Sequence, residues 1–274
     1  MRVAERARAV AAAVEIAASL GLEAEDVTVL SDSNKLALRL LPSDVMARVA
    51  PVQEQVAEFE VDLAVRLGAA GAPVAMPDPR AEPRVYEKDG FVVTLWRYYE
   101  DTGVHSPDSY ADALARLHAG MRAVEAEAPH FTDRVAEALG VVEDRERSPE
   151  LPEEGRELLV GVLRGVDRGA GGTDQLLHGE PHPGNVLNAE DGVVFIDLET
   201  CCRGPVEFDL AHAPEEVAAG YPGVDAELLR QCRVLVLAMV TAWRWDRHDQ
   251  FPDGRRMGRE WLERVREAVE AGSA

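Results

Sequence analysis

The sequence predicts an α+β chain with a β-rich front and a mostly helical back. Three observations carry this. Residues 27–96 alternate short apolar runs with turn residues, the pattern of strands. From residue 107 onward, apolar residues recur at helical spacing. Between those helices, a Pro/Gly-punctuated segment at 177–210 holds a short apolar strand flanked by His, Asn and carboxylate side chains. With 274 residues and 46% hydrophobic content, the chain can bury a sizeable core, as one two-part unit or two small domains.

Residues 3–20 read as an amphipathic helix stopped by Gly21. Strands are expected at 27–30 and 35–41, joined by Ser31, Asp32, Ser33 and Asn34. A third follows at 45–49, after a turn at Leu41, Pro42, Ser43 and Asp44. Pro51 is expected to open a helix through about Gly68, since proline suits the first helical position. Strands at 84–86 and 91–96 flank Lys88, Asp89 and Gly90, and Asp-Gly provides the left-handed backbone of a tight hairpin. Together these give a five-stranded antiparallel sheet with one inserted helix over residues 1–96. Residues 97–101 read as a connector. Helices at 109–125, 133–142, 153–168, 226–247 and 258–271 make residues 97–274 a second, helical domain, with the acidic stretch 143–154 as an exposed loop.

Composition narrows the function. The net charge of −21 argues against nucleic acid as a partner, because phosphate backbones demand a basic footprint. It would draw in a small cation, although an acidic surface also serves plain solubility. Lysine is almost absent, only Lys35 and Lys88 occurring among 29 basic residues. The cysteines Cys201, Cys202 and Cys232 have neither disulfide nor zinc spacing and read as small core residues in a reducing compartment. The N-terminal stretch lacks the apolar core of a leader, being interrupted by Glu5 and Glu15. The apolar run 234–243 is too short to span a bilayer. The expectation is a cytoplasmic protein with no membrane partner, monomeric or homodimeric.

The chemistry is concentrated in LHGEPHPGNVLNAEDGVVFIDLE. His178, Glu180 and Asn185 sit on a loop too rich in Pro and Gly for a helix, and Asp197 closes the apolar strand at 193–196. A carboxylate, an amide and a second carboxylate flanking a hairpin are the parts that hold Mg²⁺ and aim a hydroxyl at a phosphoryl group.

HGEPHPGNVL, FIDLE and GPVEFDLAH, in that order, resemble the aminoglycoside phosphotransferase/choline kinase superfamily. The front half matches in order too, through SDSN, VMARVA, a helix carrying a glutamate, VVTLWRYY and ARLHAG. The resemblance spans nearly the whole chain. It implies a bilobal, protein-kinase-like fold, with ATP and Mg²⁺ in the cleft between lobes. It also implies transfer of the γ-phosphoryl group to a hydroxyl of a small molecule such as an amino sugar or amino alcohol. Under it, Glu180 takes the place of the catalytic carboxylate and Asn185 and Asp197 become the metal ligands. Glu199 is either a further ligand, through water or a second metal, or an ordinary loop contact. His178 becomes a loop-fixing histidine and Asp209 a buried prop for the catalytic loop. Arg48 stands where the family has a phosphate-gripping lysine, and Glu60 where it has that residue's ion-pair partner. Ser33 and Asn34 would cover the phosphates, and Trp96 and Tyr98 would lie against the adenine. Residues 110–117 and 234–251, including Trp243 and Trp245, are candidate acceptor walls or simply core.

Two positions depart from the pattern. Glu180 replaces an aspartate, which extends the carboxylate by one methylene. Arg48 replaces a lysine with a planar, forked cation. Lys35 is then a candidate substitute ammonium. Three readings stay open: a small-molecule kinase, a nucleotide-binding pseudokinase, and transfer of another part of the nucleotide such as AMP. The presence of both Asn185 and Asp197 weighs toward catalysis.

Overall fold

The computed structural model describes residues 3–32, 35–53, 55–103, 106–165 and 174–272. In chain order the elements are α1 (Val3–Ser19), β1 (Ala24–Asp32), β2 (Leu36–Pro42), β3 (Val45–Pro51), α2 (Val56–Ala69), β4 (Tyr86–Lys88), β5 (Phe91–Arg97) and α3 (Pro107–Ala123). Next come α4 (Phe131–Glu143), α5 (Glu153–Arg164), β6 (Gln175–Leu177), β7 (Val186–Ala189), β8 (Gly192–Phe195) and β9 (Cys202–Gly204). The chain ends with α6 (Val206–Leu210), α7 (Glu215–Gly220), α8 (Ala226–Arg244) and α9 (Gly254–Gly272). These elements form two compact units, Met1–Ala126 with Pro183–Thr200, and Glu127–His182 with Cys201–Ala274.

The first unit is built on an antiparallel sheet of order β1-β2-β3-β5-β4, the five strands that the alternation predicts, with the fourth two residues later than expected and Lys88 inside it rather than in the turn. Because side chains alternate along a strand, Leu36, Leu38 and Leu40 of β2 share one face with Val45, Ala47 and Val49 of β3. That face is buried, and α1 supplies Ala9, Ala12, Ala13, Ile16 and Ala17 to the same core, a stripe at helical spacing. The opposite face carries Ala37, Met46 and Arg48. The β4–β5 turn is tight because Asp89 and Gly90 both take positive φ, 51° and 83°.

Pro51 does not open α2. It is the last residue of β3, paired with Phe91, and the helix starts at Val56. The β2–β3 ladder ends at Leu36–Val49, so Pro51 has a strand neighbour on one side only, where its missing N–H is tolerated. Strand β1 is longer than its apolar run, 24–32, because backbone pairing with β2 extends it through mostly exposed residues. Of the expected turn at 31–34, Ser33 and Asn34 lie outside the described residues.

The second unit is helical. Phe131, Val135 and Ala138 of α4, Leu159 of α5, Phe208 of α6, Leu235 and Met239 of α8 and Leu262 of α9 form its core. Asp225 caps α8 by accepting from the backbone N–H groups of Glu227 and Leu228 at 3.0 Å. The three cysteines are buried and form no disulfide, as expected of core residues, and burial lifts the Cys232 thiol to about 12. The acidic loop 143–154 is mostly exposed, as expected, and is anchored at Ser148. Ser148 is buried, its Oγ donates to the Val141 carbonyl at 2.8 Å, and Arg156 Nη2 donates to the Ser148 carbonyl at 2.9 Å.

His212, just beyond α6, packs edge-on to Phe208 with ring centroids 5.3 Å apart. Part of the residue reaches solvent, but Nε2 is buried without a hydrogen-bond partner. Burial, opposed by the charges of Glu180 and Asp209, lowers its pKa to about 4. A histidine depressed in the fold contributes stability that is complete above its unfolded pKa of about 6.5 and drains as pH falls toward about 4. The expected loss is up to about 3 kcal/mol over that window. Urea unfolding of wild type against His212→Leu at pH 7.5 and pH 4.5 checks it: the variant should gain on wild type as the pH drops.

Candidate active site

Helix α2 buries the apolar stripe Ala57, Val61, Ala64 and Leu67, and Glu60 falls within that stripe, 2% exposed. A carboxylate there demands charged partners. It has two. Arg48 Nη1 donates to Glu60 Oε1, and Lys35 Nζ lies 3.3 Å from Glu60 Oε2. Glu60 Oε1 also accepts the Leu198 backbone N–H at 3.1 Å. The inserted helix is thereby tied both to the sheet and to the turn that follows β8.

Strands β7 and β8 form a hairpin whose open end holds Asn185 and Asp197. Val186 pairs with Phe195, and the Ile196 N–H donates to the Asn185 carbonyl at 3.0 Å. Asp197 then takes φ +68°, a conformation that aspartate and asparagine adopt more readily than other side chains. Its Oδ1 accepts from Arg48 Nη2 at 2.9 Å. Two residues on, Glu199 pairs with Lys35 Nζ. Burial acts to lower the Arg48 pKa, but the Glu60 and Asp197 carboxylates outweigh it and raise the value. Burial, with help from the Asp197 charge, raises that of Glu199 against the pull of Lys35.

These groups border a cavity of about 480 Å³, lined also by Asn185, Trp96, Tyr98 and Met46. Trp96 is buried and its indole N–H donates to Thr94 Oγ1 at 2.8 Å, so it is both wall and core. Tyr98 lies under the Arg39 guanidinium, 3.8 Å from the ring centroid. Ligand oxygens of Glu60, Asp197 and Glu199 lie within 4.8 Å of one another.

The remaining motif residues belong to the second unit. His178, fully buried, and Gly179 follow β6, and their backbone N–H groups donate to the two Asp209 carboxylate oxygens at 2.9 and 2.8 Å. The prop that the resemblance implied for Asp209 is present in this form. Glu180 N–H approaches His178 Nδ1 at 3.4 Å. The Glu180 carboxylate pairs with Arg134 of α4, which also donates to the Gly179 carbonyl at 3.3 Å and stacks 5.3 Å from the Trp243 ring centroid. Trp245 is buried in the helical core; Tyr110, Leu114 and Leu117, on α3 of the first unit, are buried as well. Asp209→Ala would strand two buried N–H donors, and a stability loss of about 2–4 kcal/mol is expected in urea unfolding. Asp209→Asn, which keeps an acceptor, should lose less.

Residues 17–251 match the family model described as phosphotransferase enzyme family. The chain belongs to that family. It is a phosphotransferase enzyme of the group that the ordered motifs imply. No curated protein matches the sequence. Among solved structures it resembles amicoumacin kinase hAmiN in complex with AMP-PNP, Ca²⁺ and Ami (TM-score 0.71, 14% identity, 97% of this chain and 96% of that one). It also resembles a choline/ethanolamine kinase family protein from Mesorhizobium loti (TM-score 0.67, 18% identity, 98% and 95% covered). A third is APH(2")-IIia in its GDP and kanamycin complex (TM-score 0.65, 16% identity, 91% and 93% covered). The fold is the protein-kinase-like α+β fold, its five-stranded sheet followed by a largely helical chain.

In this phosphotransferase the structure gathers Arg48, Glu60, Asn185, Asp197, Glu199, Trp96 and Tyr98 around one cavity. The cationic partners of the acids were harder to read from the sequence. Arg134 gave no local signal, being one arginine on an ordinary amphipathic helix. Lys35 did give one, its rarity. No helix among the described residues is long and apolar enough to cross a membrane.

Proposed function

We propose that the protein transfers the γ-phosphoryl group of ATP, with Mg²⁺, to a hydroxyl of a small molecule. The observation that carries this reading is the meeting of Asp197, Asn185 and Glu199 with the Arg48–Glu60 pair around one cavity. Carboxylate and amide oxygens are the hard donors Mg²⁺ takes, and the carboxylates lie close enough together to share an ion. Asp197 and Asn185 would hold it, with Glu199 directly or through water. When bound, Mg²⁺ neutralises charge on the phosphate oxygens. Two cations against three carboxylates leave the cluster net negative, so a polyphosphate needs that added charge to enter.

The protein's own groups do the rest. Trp96 and Tyr98 supply walls for the base, and the Ser33–Asn34 pair is assigned to the phosphates from its place in the sequence. Glu180 accepts the acceptor hydroxyl's proton, an assignment that rests on its position five residues before Asn185. His178 and Asp209 fix the loop that carries it. The net charge of −21 suits a cationic acceptor, an amino sugar or amino alcohol. Three buried cysteines outside any disulfide suit a cytoplasmic setting.

The test is calorimetry of ATP binding with and without Mg²⁺, followed by turnover with a panel of hydroxylated amines. ADP release with Mg²⁺ supports the reading. Pyrophosphate release would point to nucleotidyl transfer, and binding without turnover to a regulatory pseudokinase. Absence of Mg²⁺-dependent nucleotide binding would end the proposal.

A further inference from the structure

We propose that Lys35 is the side chain that grips the nucleotide's phosphates, and that Arg48 is a strut locking Glu60 to Asp197. This rests on the nucleotide reading above. Arg48 has both ends of its guanidinium engaged by carboxylates, Nη1 on Glu60 and Nη2 on Asp197. A planar fork held at both tips is a brace between α2 and the β8 turn, with little freedom to follow a phosphate. Lys35 is also held by two carboxylates, Glu60 and Glu199, but it differs in the shape and reach of its charge. Its ammonium is a compact point charge with three donors, on a flexible stem. It lies against Glu60 and Glu199 and lines the cavity that Asn185 and Asp197 also line.

The sheet explains how it gets there. Ala37 pairs with Arg48, and Lys35, two residues before Ala37 and immediately ahead of β2, lines the same cavity as both. Ala37 projects only a methyl group, so the Lys35 stem and the Arg48 side chain converge on opposite oxygens of one carboxylate. Lys35 is only 8% exposed. Burying an ammonium is costly even when it is paired, and a chain that uses arginine for all but two of its 29 basic residues gives no compositional reason for it. The other lysine, Lys88, ends β4 at the β4–β5 turn, 2.8 Å from Glu15 and partly in solvent.

That scarcity makes the test selective. The reagent is ATP bearing a carboxylic acid as a mixed anhydride on its γ-phosphate. A neutral lysine amine attacks the acyl carbon, an amide forms, the acyl C–O bond to phosphate breaks, ATP departs intact and the amine's proton goes to solvent. Peptide mapping of the wild-type protein should place the acyl group on Lys35 and show its loss when excess ATP competes, while any label on Lys88 is indifferent to ATP. In parallel, Lys35→Met, which keeps the apolar stem, should bind ATP and ADP about tenfold or more weaker and adenosine unchanged. A structural lysine would not split the affinities in that way. If ATP binds but Lys35 is never labelled, or if Lys35→Met binds ATP as wild type does, the assignment falls and the nucleotide reading stands. If ATP does not bind at all, both fall. Should Lys35→Met fail to fold, labelling of the wild type decides.

Discussion

Asp197→Asn is expected to lower phosphoryl transfer about a thousandfold while leaving the fold intact. The substitution removes a charge and little else. Asparagine tolerates the φ of +68° that this position requires, so the backbone keeps its path from β8 into the turn at Leu198. The amide oxygen remains able to accept from Arg48, which holds Asp197 Oδ1 at 2.9 Å. What would be lost, on the proposed reading, is the anionic ligand for the divalent ion, and with it the Mg²⁺ dependence of nucleotide binding. The checks are ADP production under saturating substrate, calorimetry with and without Mg²⁺, and circular dichroism for the fold. Asp197→Ala should be equally inactive and in addition less stable, because a left-handed alanine is strained by about 1 kcal/mol or more. Turnover of Asp197→Asn within tenfold of wild type would remove Asp197 from the metal site and the central assignment with it.

Glu180→Gln is expected to cut turnover by about 10²- to 10⁴-fold with nucleotide affinity unchanged, as for a residue that handles the acceptor's proton and leaves the phosphates alone. The more informative variant is Glu180→Asp. Aspartate is the residue the family motif leads one to expect here, and in an unmodified loop it would restore activity. In this protein the carboxylate is held by Arg134, which is itself positioned by the Gly179 carbonyl and by stacking on Trp243. The loop is therefore built around the longer side chain. Shortening it by one methylene withdraws the carboxylate from Arg134 by about an ångström, and Glu180→Asp should lose about ten- to a hundredfold. Arg134→Lys, which keeps the charge and loses the fork, should lose activity in kcat and not in the nucleotide KM. A Glu180→Asp variant faster than wild type would mean the glutamate is a defect and the pair with Arg134 incidental. An unchanged rate in Glu180→Gln would remove Glu180 from the proton's path while leaving the phosphotransferase reading in place.

Much of the site's inventory was legible without coordinates. The hairpin at 186–195 and the loop before it were marked by Pro181, Pro183, Gly179 and Gly184, which no helix tolerates together. The five strands followed from alternation, and Leu36, Leu38 and Leu40 share the buried face of theirs. Pro51 was misplaced because a local preference, proline at a helix start, was set against a ladder partner 40 residues away at Phe91. The resemblance implied the Arg48–Glu60 pair, which is present, but the same limit hid the other ion-pair partners. Arg48 meets Asp197, 149 positions on, and Arg134 meets Glu180, 46 positions on.

The division is physical. Periodicity, turn chemistry and the kinds of side chain in the 178–199 segment are local properties, readable over a few residues at a time, and they were enough for the strands, the loop, the family resemblance and the acids and amide gathered there. Which cation would face which carboxylate is a question of long-range packing. It depended on α2 bringing a buried Glu60 to the sheet, on Lys35 and Arg48 reaching the same cavity, and on the left-handed Asp197 turning its carboxylate toward Arg48. A buried carboxylate must find its counter-charge wherever the fold delivers one, and no short window of sequence carries that address.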